Sequence, residues 1–284
     1  MSPDTIEIFH NQTIQHGKSN DRIYLMKFNL VGSEGVPAEL IKLAEAKGYS
    51  KVFVKVPADY AQAFRHAGFE DEARIPGFYK GHMAAKLLGY YLSDERHKSA
   101  SPQANEDVMK ACREKQAQNK PAAELPEGFN ISKCTPDDAE AMARIYDVVF
   151  DSYPFPIFDP AYIRETMADN VYYFGVRNAD GKLIALSSAE VDNELKNAEM
   201  TDFATLPEAR GQSLASVLLA QMEEVVQAKG IITAYTIARA ASFGMNITFA
   251  TQGYEFGGRL IRNTQIGGSF EDMNVWYKTL PARR

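Results

Sequence analysis

Cysteine is scarce in this 284-residue chain: Cys112 and Cys134 are the only two, and neither stands in a C-x-x-C pair. Two isolated thiols exclude a disulfide framework and a four-ligand zinc site, so both read as ordinary reduced side chains. Histidine is confined. All five, His10, His16, His66, His82 and His97, fall before residue 98, which leaves the rest of the chain without a histidine triad or a His-ligated zinc centre. No apolar run reaches the roughly 18 residues of a membrane span, and MSPDTIEIFHNQ lacks a charged-then-apolar signal pattern. A cytoplasmic protein with no membrane partner is expected. A basic excess is missing too: 31 Lys and Arg against 37 Asp and Glu give a net charge of −6, which argues against nucleic acid as a partner. No G-x-x-x-x-G-K-[ST] motif supports P-loop chemistry, and nothing in the inventory calls for a metal.

What is present is a globular composition, 45% hydrophobic and 24% charged, long enough for two domains with separate cores. Residues 97–128 are rich in Ala, Gln, Asn, Lys, Pro and Glu, which marks a linker. The expected division is 1–98 for a first domain, 99–127 for a linker and 128–284 for a second domain. Inside the linker, NEDVMKACREKQAQ predicts a solvated helix capped by Asn105.

Period and punctuation then place the elements. TIEIFHNQTI and RIYLMKFNL read as a hairpin, PAELIKLAEAKGY as a helix stopped at Gly48, KVFVKV as a strand, and ADYAQAFRHAGFE as a second helix. GHMAAKLLGYYL puts His82 on an apolar helix or strand, where a satisfied buried imidazole is expected. In the second domain, Thr135 and Pro136 carry helix-start chemistry, YPFPIFDP is a loop, and VYYFGVR and KLIALSSAEVD flank a turn. The two halves echo each other in the order helix, AKG, strand, helix, then Gly with an aromatic and Glu. A diverged duplication is the reading, its first copy lacking any Arg-Gly turn.

That turn is the chain's most informative stretch. LPEARGQSLASVLL, residues 206–219, follows the strand-like AEMTDFAT and opens a long amphipathic helix. First-turn N–H groups have no intrahelical partner and the helix dipole adds positive charge, so such an end accepts phosphate. Gly211 permits close approach, Arg210 adds a permanent cation, and the small Ser213, Ala215 and Ser216 keep the approach open. Leu214, Val217, Leu218, Met222 and Val225 recur at helical spacing and bury one face. An Arg-Gly pair alone only turns a chain; its company gives it meaning.

The strand TDFATLP, the turn RGxxxA, a long helix, the strand TAYTIA and then Asn, Phe and GY resemble the GNAT acetyltransferases in order and spacing. More narrowly, YPFPIFDP, SFGMNITF, GYEFGGRLIRN and GGSFEDMNVWYK resemble the beta-lysine N-acetyltransferase family, a likeness that covers nearly the whole chain. The resemblance implies a mixed α/β (α+β) GNAT acyltransferase fold preceded by a degenerate GNAT-like half. It implies acetyl-CoA as donor, the ε-amine of L-β-lysine as acceptor, and Nε-acetyl-β-lysine, a compatible solute, as product. It also implies that Phe203, Ala204 and Thr205 pair with the pantetheine arm. Arg210, Gly211, Gln212, Ser213, Leu214, Ala215 and Ser216 then meet the pyrophosphate, and Asn246 touches the cofactor farther along.

Two positions depart from the family pattern. Ser213 stands where Gly is usual, and Phe249 replaces the Tyr that commonly protonates the departing thiolate. Deprotonation is the harder demand, because an alkylammonium titrates near 10.4 and a thiol near 8.5, so a carboxylate base is needed. Glu199 and Asp202 are the candidates, with Glu190 on the preceding strand; alternation puts Glu199 and Asp202 on opposite faces, and Glu199 is preferred. Water, Tyr235 or Tyr254 would return the proton. For the acceptor, Glu271 and Asp272 suit amines, Arg239, Arg262 and Asn263 suit a carboxylate, and Tyr153, Phe155 and Phe158 wall the methylene chain. Another small diamine, a polyamine or lysine remains an alternative acceptor, a non-catalytic CoA-binding module an alternative role, and a homodimer a compatible assembly.

Overall fold

The first β-rich stretch breaks where His10 and Asn11 both take positive φ, 48° and 64°, the backbone of a type I′ hairpin turn. In the computed structural model, which describes residues 4–118 and 123–281, this turn joins β1 (Thr5–Phe9) to β2 (Gln12–Gly17), and β3 (Arg22–Lys27) extends the meander. One expected strand is therefore two. α1 (Val36–Lys47) ends on the left-handed Gly48 and carries the chain to β4 (Lys51–Pro57), parallel to β3. α2 (Ala61–His66) and the antiparallel pair β5 (Glu70–Tyr79) and β6 (Met83–Tyr91) complete the first half.

The linker is not a solvated tether. α3 (Pro102–Ala117) starts after Ser101, and Asn105 is no cap: it is buried and donates to Asp272 at 2.7 Å. Val108, Met109 and Cys112 enter the second half's core, and Gln116 donates to the Ala250 carbonyl at 2.9 Å. His82 is also placed otherwise than expected, exposed in the turn between β5 and β6, while the buried imidazole is His16, held by Tyr49 at 3.0 Å and Glu7 at 2.9 Å.

The second half runs β7 (Asn130–Lys133), α4 (Ala139–Val149), α5 (Pro160–Ala168), β8 (Val171–Arg177), β9 (Leu183–Asp192) and β10 (Asn197–Thr205). It continues through α6 (Leu214–Ala228), β11 (Thr233–Arg239), α7 (Phe243–Thr251) and the hairpin β12 (Glu255–Ile266) and β13 (Ser269–Thr279). Thr135, the expected helix start, forms a capping box with Asp138 ahead of α4. Among the described residues, no helix is long and apolar enough to cross a membrane.

The thirteen strands among the described residues form one sheet, ordered β1-β2-β3-β4-β6-β5-β12-β13-β11-β10-β9-β8-β7. The order β3-β4-β6-β5 is repeated as β10-β11-β13-β12, so the duplication read from the sequence appears as topology, with the copies meeting edge to edge at β5 and β12. Gly258 permits that meeting: with φ at 139°, a Cβ here would stand 2.3 Å from the Glu72 carbonyl oxygen. Side chains alternate along β4, so Val52, Val54 and Val56 bury against α1 and α2 while Phe53 faces the other way. On that second face the first half packs Phe53, Ile75, Phe78 and Leu87 against Tyr235, Leu260, Met273 and Val275 of the second. A buried ion pair secures the seam, with Lys51 Nζ 2.9 Å from Glu72 and donating to the Ile261 carbonyl at 2.8 Å.

Candidate active site

Parallel pairing between β10 and β11 lasts three rungs, Asn197↔Thr233, Ala198↔Ala234 and Glu199↔Tyr235. Beyond them β10 keeps to β9 as far as Thr205↔Ala185 and β11 keeps to β13 as far as Arg239↔Met273, so the two strands part into a wedge. Phe203, Ala204 and Thr205 thus present one backbone edge without a ladder partner among the described residues. An extended ligand carrying amides fits such an edge.

At the wide end of the wedge the chain turns into α6. Gly211 has φ 82° and no atom within 4 Å of where a Cβ would stand; Ser213 is left-handed at φ 56° and makes no side-chain cap. Ser216 and Val217 donate to the Ser213 carbonyl at 3.0 and 3.3 Å, whereas the N–H groups of Gly211, Gln212, Ser213, Leu214 and Ala215 have no protein acceptor among the described residues. The exposed Arg210 lies against the same turn, donating to the Thr205 carbonyl at 3.4 Å, and no acidic residue enters α6's first turn. Free donors, a helix dipole, a cation and open space make a cradle for a pyrophosphate. Asn246 does not belong to it. Its amide donates to the Arg239 and Ser242 carbonyls at 2.9 and 2.7 Å, and its oxygen accepts from Asn274 and Trp276 at 2.8 Å each. All its hydrogen-bonding capacity is taken within the protein, which pins the start of α7.

The narrow end of the wedge carries the carboxylates. Pairing of β10 with β9 runs Glu199↔Glu190, Met200↔Ala189 and Thr201↔Ser188, then slips to Ala204↔Leu186. This bulge sets Asp202 at φ 54° and overturns the expectation from alternation that Glu199 and Asp202 face opposite ways. Asp202 accepts from Ser188 Oγ at 2.5 Å, on the face shared by Glu190 and Glu199, and from the Tyr153 hydroxyl at 2.5 Å. Three carboxylates therefore converge. Burial raises the Asp202 pKa against the hydrogen bonds from Ser188 and Tyr153. Desolvation, then Glu199 and Asp202, raise Glu190; desolvation raises Glu199 too, opposed by Lys55 and Tyr235. Glu190 is exposed and Glu199 half-buried, so a ligand entering the cleft completes their desolvation.

Tyr235, 4% exposed, sits opposite Glu199 and receives a hydrogen bond from Lys55 Nζ at 3.3 Å. Sequence reasoning missed Lys55; its signal was the parity of KVFVKV, which places it beside Phe53 on the face turned to the second half. Tyr254 stands elsewhere. It is 1% exposed, packed behind Phe249, whose ring separates it from Phe203, with Lys278 Nζ 5.6 Å from its ring centre.

Of the acceptor candidates, Tyr153 reaches the carboxylates and Phe155 packs half-buried near it in the loop between α4 and α5. Glu271 is paired with Arg239 at 3.3 Å and accepts from Ser269 at 2.8 Å. Asn263 is buried at the seam, where its carbonyl accepts from Arg22. Neither joins the carboxylate cluster, and the same holds for Asp272, bonded to the Arg262 N–H at 2.8 Å, and for Arg262, paired with Glu95 at 2.8 Å.

Residues 142–245, which hold the wedge, the cradle and all three carboxylates, match the acetyltransferase (GNAT) family. The chain is similar to the Beta-lysine N(6)-acetyltransferase of Methanococcus maripaludis, 39% identical over 96% of this chain and 97% of that protein. It is similar also to the Beta-lysine N(6)-acetyltransferase of Methanosarcina mazei, 32% identical over 87% of this chain and 97% of that one. Among solved structures, the ribosomal-protein-S18-alanine N-acetyltransferase of Escherichia coli aligns over 55% of this chain and 96% of its own, at 17% identity and a TM-score of 0.48.

Proposed function

We propose, since this chain belongs to the acetyltransferase (GNAT) family and is an acetyl-CoA-dependent acyltransferase, that its acceptor is the ε-amine of L-β-lysine and its product the compatible solute Nε-acetyl-β-lysine. One observation carries the reading: Glu190, Glu199 and Asp202 gather at the narrow end of the wedge, with Tyr153 bonded to Asp202 and Tyr235 opposite Glu199. A dicationic acceptor suits that site. Acetyl-CoA supplies the activated acetyl group; the cradle from Arg210 to Ser216 holds its pyrophosphate, and the edge of Phe203, Ala204 and Thr205 lines its arm.

Glu199 is the base that takes the ammonium proton. Its raised pKa narrows the gap to an amine near 10.4 while Lys55 and Tyr235 keep the carboxylate available. Glu190, directly across the ladder, is the counter-ion for the acceptor's second ammonium, and Asp202 fixes Tyr153 as one wall. With Phe249 unable to donate and Tyr254 behind it, Tyr235 or solvent returns a proton to the thiolate. The N-terminal half contributes Lys55, which donates to the Tyr235 hydroxyl at 3.3 Å.

Mass spectrometry of the products from acetyl-CoA with L-β-lysine, and with L-lysine in parallel, tests this. One acetyl group on the ε-nitrogen of β-lysine, with lysine turned over about tenfold less efficiently or worse, is the expected outcome. Equal efficiency on both, or preferential acetylation of an unrelated diamine, would sink the assignment.

A further inference from the structure

The N-terminal half lacks a phosphate turn, yet one of its side chains reaches the carboxylate site. β4 directs Lys51, Phe53 and Lys55 toward the second half, and the two lysines meet different surroundings. Lys51 is fully buried and ion-paired with Glu72 at 2.9 Å. Lys55 is half-buried and has no carboxylate within ion-pair distance among the described residues. Its ammonium instead donates to the Tyr235 hydroxyl at 3.3 Å and lies 5.1 Å from the Phe78 ring centre, 5.3 Å from Tyr235 and 5.9 Å from Tyr24. Aromatic faces hold a cation in place but do not neutralise it as a carboxylate would. Burial alone would lower its pKa, but Tyr24, Glu199 and Tyr79 outweigh that and keep it protonated.

The cleft therefore offers three carboxylates from the second half and one unpaired cation from the first. An acceptor with two ammonium groups and one carboxylate matches that charge pattern, whereas a plain diamine leaves Lys55 without a counter-ion. We infer that Lys55 anchors the carboxylate of the acceptor, so that the degenerate half sets specificity between an amino acid and a simple diamine. The inference rests on the acceptor reading above. It also gives the first half a role in the reaction beyond extending the sheet.

The test compares kcat/KM for L-β-lysine and for 1,4-diaminopentane, the same skeleton without its carboxylate, in the full chain and in Lys55→Met and Lys55→Arg. A charge-assisted hydrogen bond of ordinary strength predicts that the wild-type preference for β-lysine falls by about 10- to 100-fold in Lys55→Met, chiefly through KM. Lys55→Arg should restore part of it. Calorimetry with coenzyme A checks that Lys55→Met keeps a folded donor site. If Lys55→Met lowers kcat on both acceptors equally, or shifts only the pH profile of kcat, Lys55 tunes Glu199 and the anchor is wrong. A wild-type enzyme that fails to distinguish the two acceptors would instead overturn the acceptor reading, and this inference with it.

Discussion

Two strand–helix–strand crossings in this chain share one topology and leave different things open. Four rungs join β3 to β4, from Arg22↔Lys51 to Leu25↔Val54, whereas three join β10 to β11 before the strands part. Each crossing helix starts from a left-handed N-cap, Gly35 at φ 76° for α1 and Ser213 at φ 56° for α6. α1 then continues with Pro37, which has no N–H, and Glu39, a carboxylate in the first turn; α6 continues with Leu214, Ala215 and Ser216. The first helix thus fills its positive end with its own chemistry, and the second leaves it for an anion. Where the rungs correspond, Tyr24↔Phe53 stands in place of Glu199↔Tyr235. The crossing alone does not make a donor site. An acid-free first turn behind a run of free N–H groups and a carboxylate at the last rung set the second crossing apart.

Glu199 is the sharpest chemical difference between the two crossings, so its removal should have the largest effect. Glu199→Gln is expected to lower kcat by about 100-fold or more while KM for acetyl-CoA stays close to wild type. The wild-type rate should rise with pH along a limb above the ordinary carboxylate range, because burial raises the Glu199 pKa, and the variant should lose that limb. Stability runs the other way. A carboxylate with a raised folded pKa stabilises the fold below its unfolded pKa and loses that contribution as pH rises through the raised value, so Glu199→Gln should flatten the decline in Tm over that window. Steady-state rates and calorimetry across pH measure both. A kcat within threefold of wild type would transfer the base to Asp202 or Glu190.

A smaller effect separates backbone strain from donor binding. Gly211 and Gly35 both hold positive φ, 82° and 76°, and at neither does any atom lie within 4 Å of the point a Cβ would occupy. Valine at either should cost about 1–2 kcal/mol of stability through the left-handed backbone. Only Gly211→Val should also raise KM for acetyl-CoA, by roughly tenfold, since only that turn leads into an unbroken run of free donors with no acid in the helix's first turn. If Gly35→Val weakens acetyl-CoA binding as much, the distinction between the two crossings fails.

These contrasts also show what is legible in the sequence. The turn at Gly211, the helix start at Thr135 and the repeated order of elements can be read there, because each depends on neighbours within a few residues. The bulge at Asp202 cannot: no Gly or Pro marks it, and it becomes visible only where β10 registers against β9. Lys55 is hidden for a related reason, since its meaning comes from a residue 180 positions away, Tyr235 on β11. Asn105 reads in the sequence as a surface cap, Asn263 as an acceptor ligand and Asn246, through the resemblance, as a cofactor contact; the first and last are held in buried protein hydrogen bonds and Asn263 is buried at the seam. A polar residue's partners are set by tertiary packing, so composition and spacing point to the wrong side of the surface for it.

Ser213 gives the finest test, because it occupies in α6 the left-handed N-cap that glycine occupies in α1. Replacing it with glycine should relieve about 1–2 kcal/mol of left-handed strain and return part of that as added freedom of the unfolded chain, a net gain of up to about 1 kcal/mol. For a chain of this size that is a rise in Tm of about 2–4 °C. The hydroxyl makes no cap to its own helix and borders five free N–H groups, so it is available to donate to the donor's pyrophosphate. Ser213→Gly should therefore raise KM for acetyl-CoA by about threefold while raising Tm, an opposition that thermal unfolding and donor titration read separately. A KM that falls together with the rise in Tm would mean that the Cβ only obstructs the cradle, and that α6 would be better served by the same cap as α1.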